Sequence, residues 1–287
     1  MPGVRAATVL ALWGAAYRCG AASPDEVLEQ LAGAGRSAGV RAADSATADR
    51  VGLPGPGEAN TGSIALLELL RRGGTPRVVL PGAGDDRGLP PSSPALLPAL
   101  DAGAAVVLPS QRIAVSPSEG HWRVFGVLKD ASNPLPAAPE PPKLFDAERD
   151  LDAAIRAATA QLVRLDVARG ADGVREKIAH EMRQAAITVP SGWSRAQRHG
   201  ARLLAKVVSL EALLQVAAAH DTAAVTRHQL ASMDDALRPL AAAVRFGRLA
   251  AVAELVDDLT LACRPAADQA ADRRWAVAER DHGDRQN

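Results

Sequence analysis

The densest group of residues able to do chemistry is the loop Pro81-Gly82-Ala83-Gly84-Asp85-Asp86-Arg87-Gly88. Glycines let a backbone approach a ligand closely. Neighbouring carboxylates at Asp85 and Asp86 can hold a divalent cation such as Mg2+ or serve as a general base, and Arg87 can clamp an anion. The loop follows Arg77–Leu80, an apolar run that reads as a buried strand, and ligands of α/β proteins gather at the carboxyl ends of strands. Against a dinucleotide site, the glycines run G-x-G-x-x-x-G, one residue too long, and Pro90-Pro91 stand where a helix should open. Two aspartates would also repel phosphate unless a cation lay between them. The plainer expectation is a turn whose aspartates bond their own backbone.

A second glycine-rich loop, Gly55-Pro56-Gly57-Glu58-Ala59-Asn60-Thr61-Gly62, leads into a helical pattern carrying Ile64, Leu66, Leu67, Leu69 and Leu70. Free amides at a helix start suit an anion, with Asn60 and Thr61 beside it, but either residue equally caps the helix. No G-x-x-x-x-G-K-[S/T] occurs, so the P-loop nucleotide signature is missing, and the spacing in the 82–88 loop leaves no nicotinamide or flavin signature either.

The third candidate is a basic stripe. Arg195, Arg198, Arg202 and Lys206 fall within an arc of about 80° on a helix, with His199 at its edge. Such a face can dock an acidic protein partner, an anionic surface or single-stranded nucleic acid. It can equally pair internally with Asp150 and Asp152, Asp234 and Asp235, or Glu254, Asp257 and Asp258. His180-Glu181 does not continue into the H-E-x-x-H zinc helix, and no serine sits in G-x-S-x-G. Cys19 and Cys263 lie far apart without CxxC or Cys/His spacing, which signals neither a disulfide scaffold nor a metal site. Read as lone thiols, they fit a reducing cytoplasm.

The elements that would position these residues fall into two groups. Asn133–Lys143, with five prolines, reads as a stiff connector. Before it, residues 1–132 predict an α/β domain, a small mixed sheet with flanking helices. Helices are expected at Val4–Cys19, from the Ser23-Pro24-Asp25-Glu26 capping box to Gly33, after Gly62, and from Ser93-Pro94 to about Ala102. Strands are expected at Val40–Ala43, Arg77–Leu80, Ala104–Leu108, Arg112–Ser116 and His121–Lys129. In the last, Trp122, Val124 and Leu128 share one face while His121 and Arg123 begin the other, the alternation of a half-buried strand. Pro117-Ser118-Glu119-Gly120 is the hairpin turn before it.

After the connector, residues 144–262 predict an all-α helical bundle, with helices at Asp146–Arg169, Asp172–Ile187, Ser194–His220, Thr222–Ser232 and Asp235–Leu261. Residues 263–287 form a polar tail.

Composition removes several function classes. The 287 residues carry 33 basic and 33 acidic side chains, and the balance is 13 against 13 up to Lys143 and 20 against 20 beyond. Tight binding of duplex nucleic acid is disfavoured, because it needs a concentrated positive footprint. No apolar run reaches the length of a membrane span. Ala6–Ala16 after Arg5 could pass for a short signal segment, but Arg18 interrupts the approach to a cleavage site, and the helical spacing of Val9, Leu12, Trp13 and Tyr17 favours a core helix.

The expectation is therefore a cytoplasmic, non-enzymatic interaction or regulatory protein acting through its helical bundle on a protein partner or a second copy. The rival is a small-molecule enzyme or ligand-binding protein that uses the 82–88 loop for an anionic or phosphorylated ligand, with Mg2+.

Overall fold

The computed structural model describes residues 2–35, 39–82, 85, 88–128, 139–164, 174–190, 195–219, 235 and 237–263. The predicted strands are β1 (Val40–Ala42), β2 (Arg77–Val79), β3 (Ala105–Leu108), β4 (Ile113–Pro117) and β5 (Trp122–Gly126). They form one mixed sheet in the order β1-β5-β4-β3-β2, with β1 parallel to β5 and every other pair antiparallel. The β4–β5 hairpin closes at the predicted turn, where Ser118 N donates to His121 O at 2.9 Å and Gly120 takes a φ of 68°.

The N-terminal helices are α1 (Pro2–Arg18), α2 (Pro24–Gly33), α3 (Ser45–Val51), α4 (Ser63–Arg72) and α5 (Leu96–Ala102). The capping box before α2 is in place, with Glu26 N donating to Ser23 Oγ and Ser23 N to Glu26 Oε2. Donation from Ser23 N and from Ser23 Oγ to the Glu26 carboxylate holds that carboxyl below its ordinary range. Helix α3 is an addition to the expected elements. It is short and lacks an apolar stripe, and local bonds set its ends: Asp44 Oδ1 accepts from Thr47 N at 2.7 Å, and Gly52 ends it in the left-handed region at φ 70°.

Helix α1 organises the core. Thirteen of its residues, Gly3 through Ala16 except Arg5, are buried, so polar solvent touches little but its ends. Ala6, Ala7, Ala11, Ala15 and Ala16 are fully buried and allow neighbours to approach closely. The helix contacts α2, α4, β2, β3 and β4. Gly3 makes the closest approach: a Cβ there would lie 2.1 Å from Ala102 O. The segment weighed against a signal sequence is thus a central element of the fold.

The C-terminal helical region contains α6 (Leu144–Arg164), α7 (Val174–Ala185), α8 (Arg195–Ala219) and α9 (237–263). The expected helix Thr222–Ser232, residues 133–138 of the connector and the 264–287 tail lie outside the described residues. Leu151, Leu203, Leu204, Val207, Val244, Ala251 and Leu255 join α1 and the inner sheet face (Val40, Val106, Leu108, Ile113, Val115, Trp122 and Val124) in one contiguous cluster.

The opposite sheet face carries a smaller cluster, in which Val79, Ala105, Val107, Ala114, Phe125 and Val127 pack with Leu89, Ala95 and Ala99. Strand β5 is therefore covered on both faces over Val124–Val127 rather than half-buried, because α5 and the segment before it pack on the second face.

Cys19 and Cys263 form a disulfide, with a Cα–Cα distance of 5.3 Å across 244 residues of sequence. The reading as two lone thiols is overturned, and with it the argument from cysteine usage for a reducing compartment. Local spacing carried no signal because the pair forms when the end of α1 meets the end of α9.

Candidate functional site

The strongest polar arrangement lies where α1, α8 and α9 meet. Arg248 of α9 is 2% exposed. Its Nε donates to Glu211 Oε1 at 2.8 Å, its Nη2 to Glu211 Oε2, and its Nη1 to Thr8 Oγ1 at 3.1 Å. Thr8 in turn donates to Val4 O one turn back in α1, at 2.8 Å. A buried guanidinium is tolerable when its donors are used, and here a two-pronged carboxylate and a hydroxyl engage three of them.

Other ties run in the same direction. Trp13 Nε1 donates to Thr188 O at 2.9 Å. Arg5 donates through Nη1 to Gly33 O and through Nη2 to Ala186 O, placing a cation at the C-terminal ends of α2 and α7, where helix dipoles favour it. Burial lowers the Arg5 pKa.

The 82–88 loop is tied as well. Gly82 and Asp85 exchange backbone hydrogen bonds at 2.8 and 2.9 Å. The Asp85 carboxylate, however, pairs with Arg245 Nη2 of α9, and Arg245 Nη1 donates to Leu80 O at 2.9 Å. A Cβ on Gly82 would lie 2.8 Å from Nη1, so the glycine serves close packing of this arginine. Gly84, Asp86 and Arg87 lie outside the described residues.

In the 55–62 loop neither Asn60 nor Thr61 caps α4. Its N-cap is Gly62, without a side-chain bond. Thr61 instead exchanges backbone hydrogen bonds with Val40 at 3.1 Å in both directions, covering the free edge of β1. The capping role expected of it lost to edge pairing.

The basic stripe starts α8 at Arg195 and faces α6 for part of its length. Lys206 pairs with Asp152, and His199 Nε2 lies 2.8 Å from Glu148 Oε2. Arg202 is exposed and donates from Nε to Arg198 O at 3.3 Å. On α9, Glu254 and Asp257 hold their protons more tightly than ordinary carboxyls. Burial is the main cause for both, aided by mutual repulsion with Asp258 and opposed by His199 for Glu254 and by Arg77 for Asp257.

Among the described residues no group of three His, Cys, Asp or Glu could hold a metal ion. No described helix is long and apolar enough to cross a membrane. Two clefts stand out. One of about 280 Å³ is lined by Arg50, Val51, Ser110, Gln111 and Arg112. An apolar one of about 160 Å³ lies between α7 and α8.

Sequence reasoning missed Thr8, Glu211, Arg245 and Arg248. A charged residue inside an apolar helical stripe was the available signal for Arg248, but its partners lie 37 and 240 residues away.

Similarity to known proteins covers both halves. The Rv1486c-like protein, N-terminal domain, matches residues 7–140, and the Rv1486c-like protein, C-terminal domain, matches residues 145–249. "Uncharacterized protein Rv1486c" of Mycobacterium tuberculosis (strain ATCC 25618 / H37Rv) is 30% identical over 283 residues, spanning 86% of this chain and 96% of that protein. "Uncharacterized protein ML1804" of Mycobacterium leprae (strain TN) is 27% identical over 288 residues, spanning 85% and 94% respectively. No solved structure matches the chain significantly. The chain belongs to the Rv1486c-like protein family and has that family's N-terminal and C-terminal domains.

Proposed function

We propose that the protein acts by binding a protein partner through its C-terminal helical region, a second copy of the chain being the simplest case. The observation that carries this reading is the pairing of Asp85 with Arg245. One of the two carboxylates offered for catalysis or for Mg2+ is spent on joining the sheet to α9. The outer side of α7 and α8 supports a binding role. Met182, Ile187, Val189, Leu204 and Val208 line the apolar cleft there, and Leu213 lies one helical turn beyond Ser209 at its rim. Met182 is 39% and Leu213 41% exposed, and methionine adapts its shape to a partner readily.

Sedimentation across a range of concentrations tests the reading. The wild-type chain should self-associate, and a Met182→Glu/Leu213→Glu variant should remain monomeric with an unchanged melting temperature. A wild-type chain that stays monomeric and forms no stoichiometric cross-linked complex in its own cells would overturn it. Thermal-shift screening with nucleotides and divalent cations covers the catalytic rival. A response present in the wild type and lost in Asp85→Ala/Asp86→Ala would favour that rival.

A further inference from the structure

On the second face of the sheet, β1 and β5 run parallel with Arg41 directly beside Arg123. Their neighbours in each strand, Val40, Ala42, Trp122 and Val124, are buried in the main core, so both arginines leave the opposite face. Adjacent strands lie about 4.8 Å apart, which puts two guanidinium stems side by side. Like charges directly opposite one another oppose sheet pairing. Both side chains are also partly buried, which weakens their solvation.

Elsewhere in the described structure, buried and partly buried arginines have found partners: Arg248 has Glu211, Arg245 has Asp85, and Arg5 has two carbonyls. Arg41 and Arg123 have no ion pair and no side-chain hydrogen bond among the described residues. The contact Arg123 makes is with the ring of Phe125, 5.0 Å from its guanidinium carbon to the centroid. That stack fixes the arginine's stem and leaves its forked edge of donors unused. The preceding position on this face, His121, donates from Nδ1 to Glu119 O, and its shielded Nε2 has no hydrogen-bond partner.

We propose that Arg41 and Arg123 form an oxyanion-binding site for a phosphate group, delivered as inorganic phosphate or as a small phosphomonoester. A phosphate dianion carries enough oxygens to take a two-pronged bond from each guanidinium, and its charge cancels the repulsion between them. This site lies on the sheet face away from α1, so it is distinct from both the 82–88 loop and the α7–α8 surface. It goes beyond the proposed partner-binding role and stands or falls independently of it.

The test uses the full chain at constant ionic strength, with chloride replaced stepwise by inorganic phosphate or by phenyl phosphate, followed by calorimetry and thermal melting. Wild-type protein should bind one phosphate per chain saturably. Arg41→Gln and Arg123→Gln should each weaken binding at least tenfold, while Arg156→Gln, at an exposed position on α6, should not. In chloride alone each glutamine variant should melt at or above the wild-type temperature, because one of two repelling charges is gone. Tighter binding of phenyl phosphate than of inorganic phosphate would identify the phosphomonoester as the ligand, and the reverse order the free ion. An equal phosphate response in the wild type and both variants would overturn the site, as would variants that melt below the wild type in chloride.

Discussion

Replacing Arg248 with alanine should destabilise the whole chain, because this side chain joins α9 to both α8 and α1. Arg248 is 2% exposed and engages two oxygens of Glu211 and one of Thr8. Removing one partner of a buried pair typically costs about 3–5 kcal/mol, since the other charge is left desolvated. The Glu211 side chain is 25% exposed and can recover some hydration, which places the expected loss near the lower limit, about 3 kcal/mol. Thr8→Val, which removes a single hydrogen bond to the cation, should cost about 1.5 kcal/mol.

Replacing both charges with apolar groups of similar volume, Arg248→Met with Glu211→Leu, should bring stability back to within about 1 kcal/mol of the wild type. Urea unfolding of the wild type, Arg248→Met, Glu211→Leu and the double variant measures the coupling, which comes to about 5 kcal/mol if each single change costs about 3 kcal/mol and the double change about 1 kcal/mol. An Arg248→Ala cost below about 1 kcal/mol, or the same cost with and without Glu211, would refute the reasoning.

Three further outcomes follow from the same geometry. Denatured, unreduced protein should show no titratable thiol, and Cys19→Ser should lower the urea midpoint. Chain entropy for a 244-residue loop sets an upper limit of about 5.5 kcal/mol on that loss, and two reactive thiols in the unreduced protein would contradict the pairing. Asp257 and Glu254 are held above the usual carboxylate range, so the native state binds their protons more tightly than the unfolded chain does and stability falls as pH rises from the unfolded value through the raised one. Asp257→Asn should therefore raise the melting temperature at neutral pH, and the gain should vanish once the pH drops below about 4, where the unfolded carboxyl is also protonated. Gly3→Ala should cost about 1–3 kcal/mol, measured by urea unfolding, because its Cβ meets backbone rather than a movable side chain at Ala102 O.

Much of the fold was legible because its signals are local. The alternation around Trp122 and Val124 marks β5, and Ser23 with Glu26 marks the start of α2. Helix α3 escaped because its signal is one capping aspartate and one terminal glycine, with no apolar period between them. Segregated charge on α6 and α8 was readable, and Lys206 did find Asp152, one of its expected mates.

The remaining pairings depend on tertiary arrangement. Arg245 and Asp85 stand 160 residues apart, Arg248 and Thr8 240, and the two cysteines 244. The juxtaposition of Arg41 and Arg123 needs the register of two parallel strands, which hydrophobic alternation within either strand cannot supply.

The central claim is that α1 is the shared core of the α/β part and the C-terminal helices, so that the two family domains unfold as a unit. Native-state hydrogen exchange of the α1 amides under increasing denaturant tests it most directly. Amides of Leu10 and Leu12 should open with the same free energy and denaturant dependence as those of Val115 in β4 and Leu255 in α9. Exchange of α9 at a lower free energy, with α1 and the sheet still protected, would contradict it.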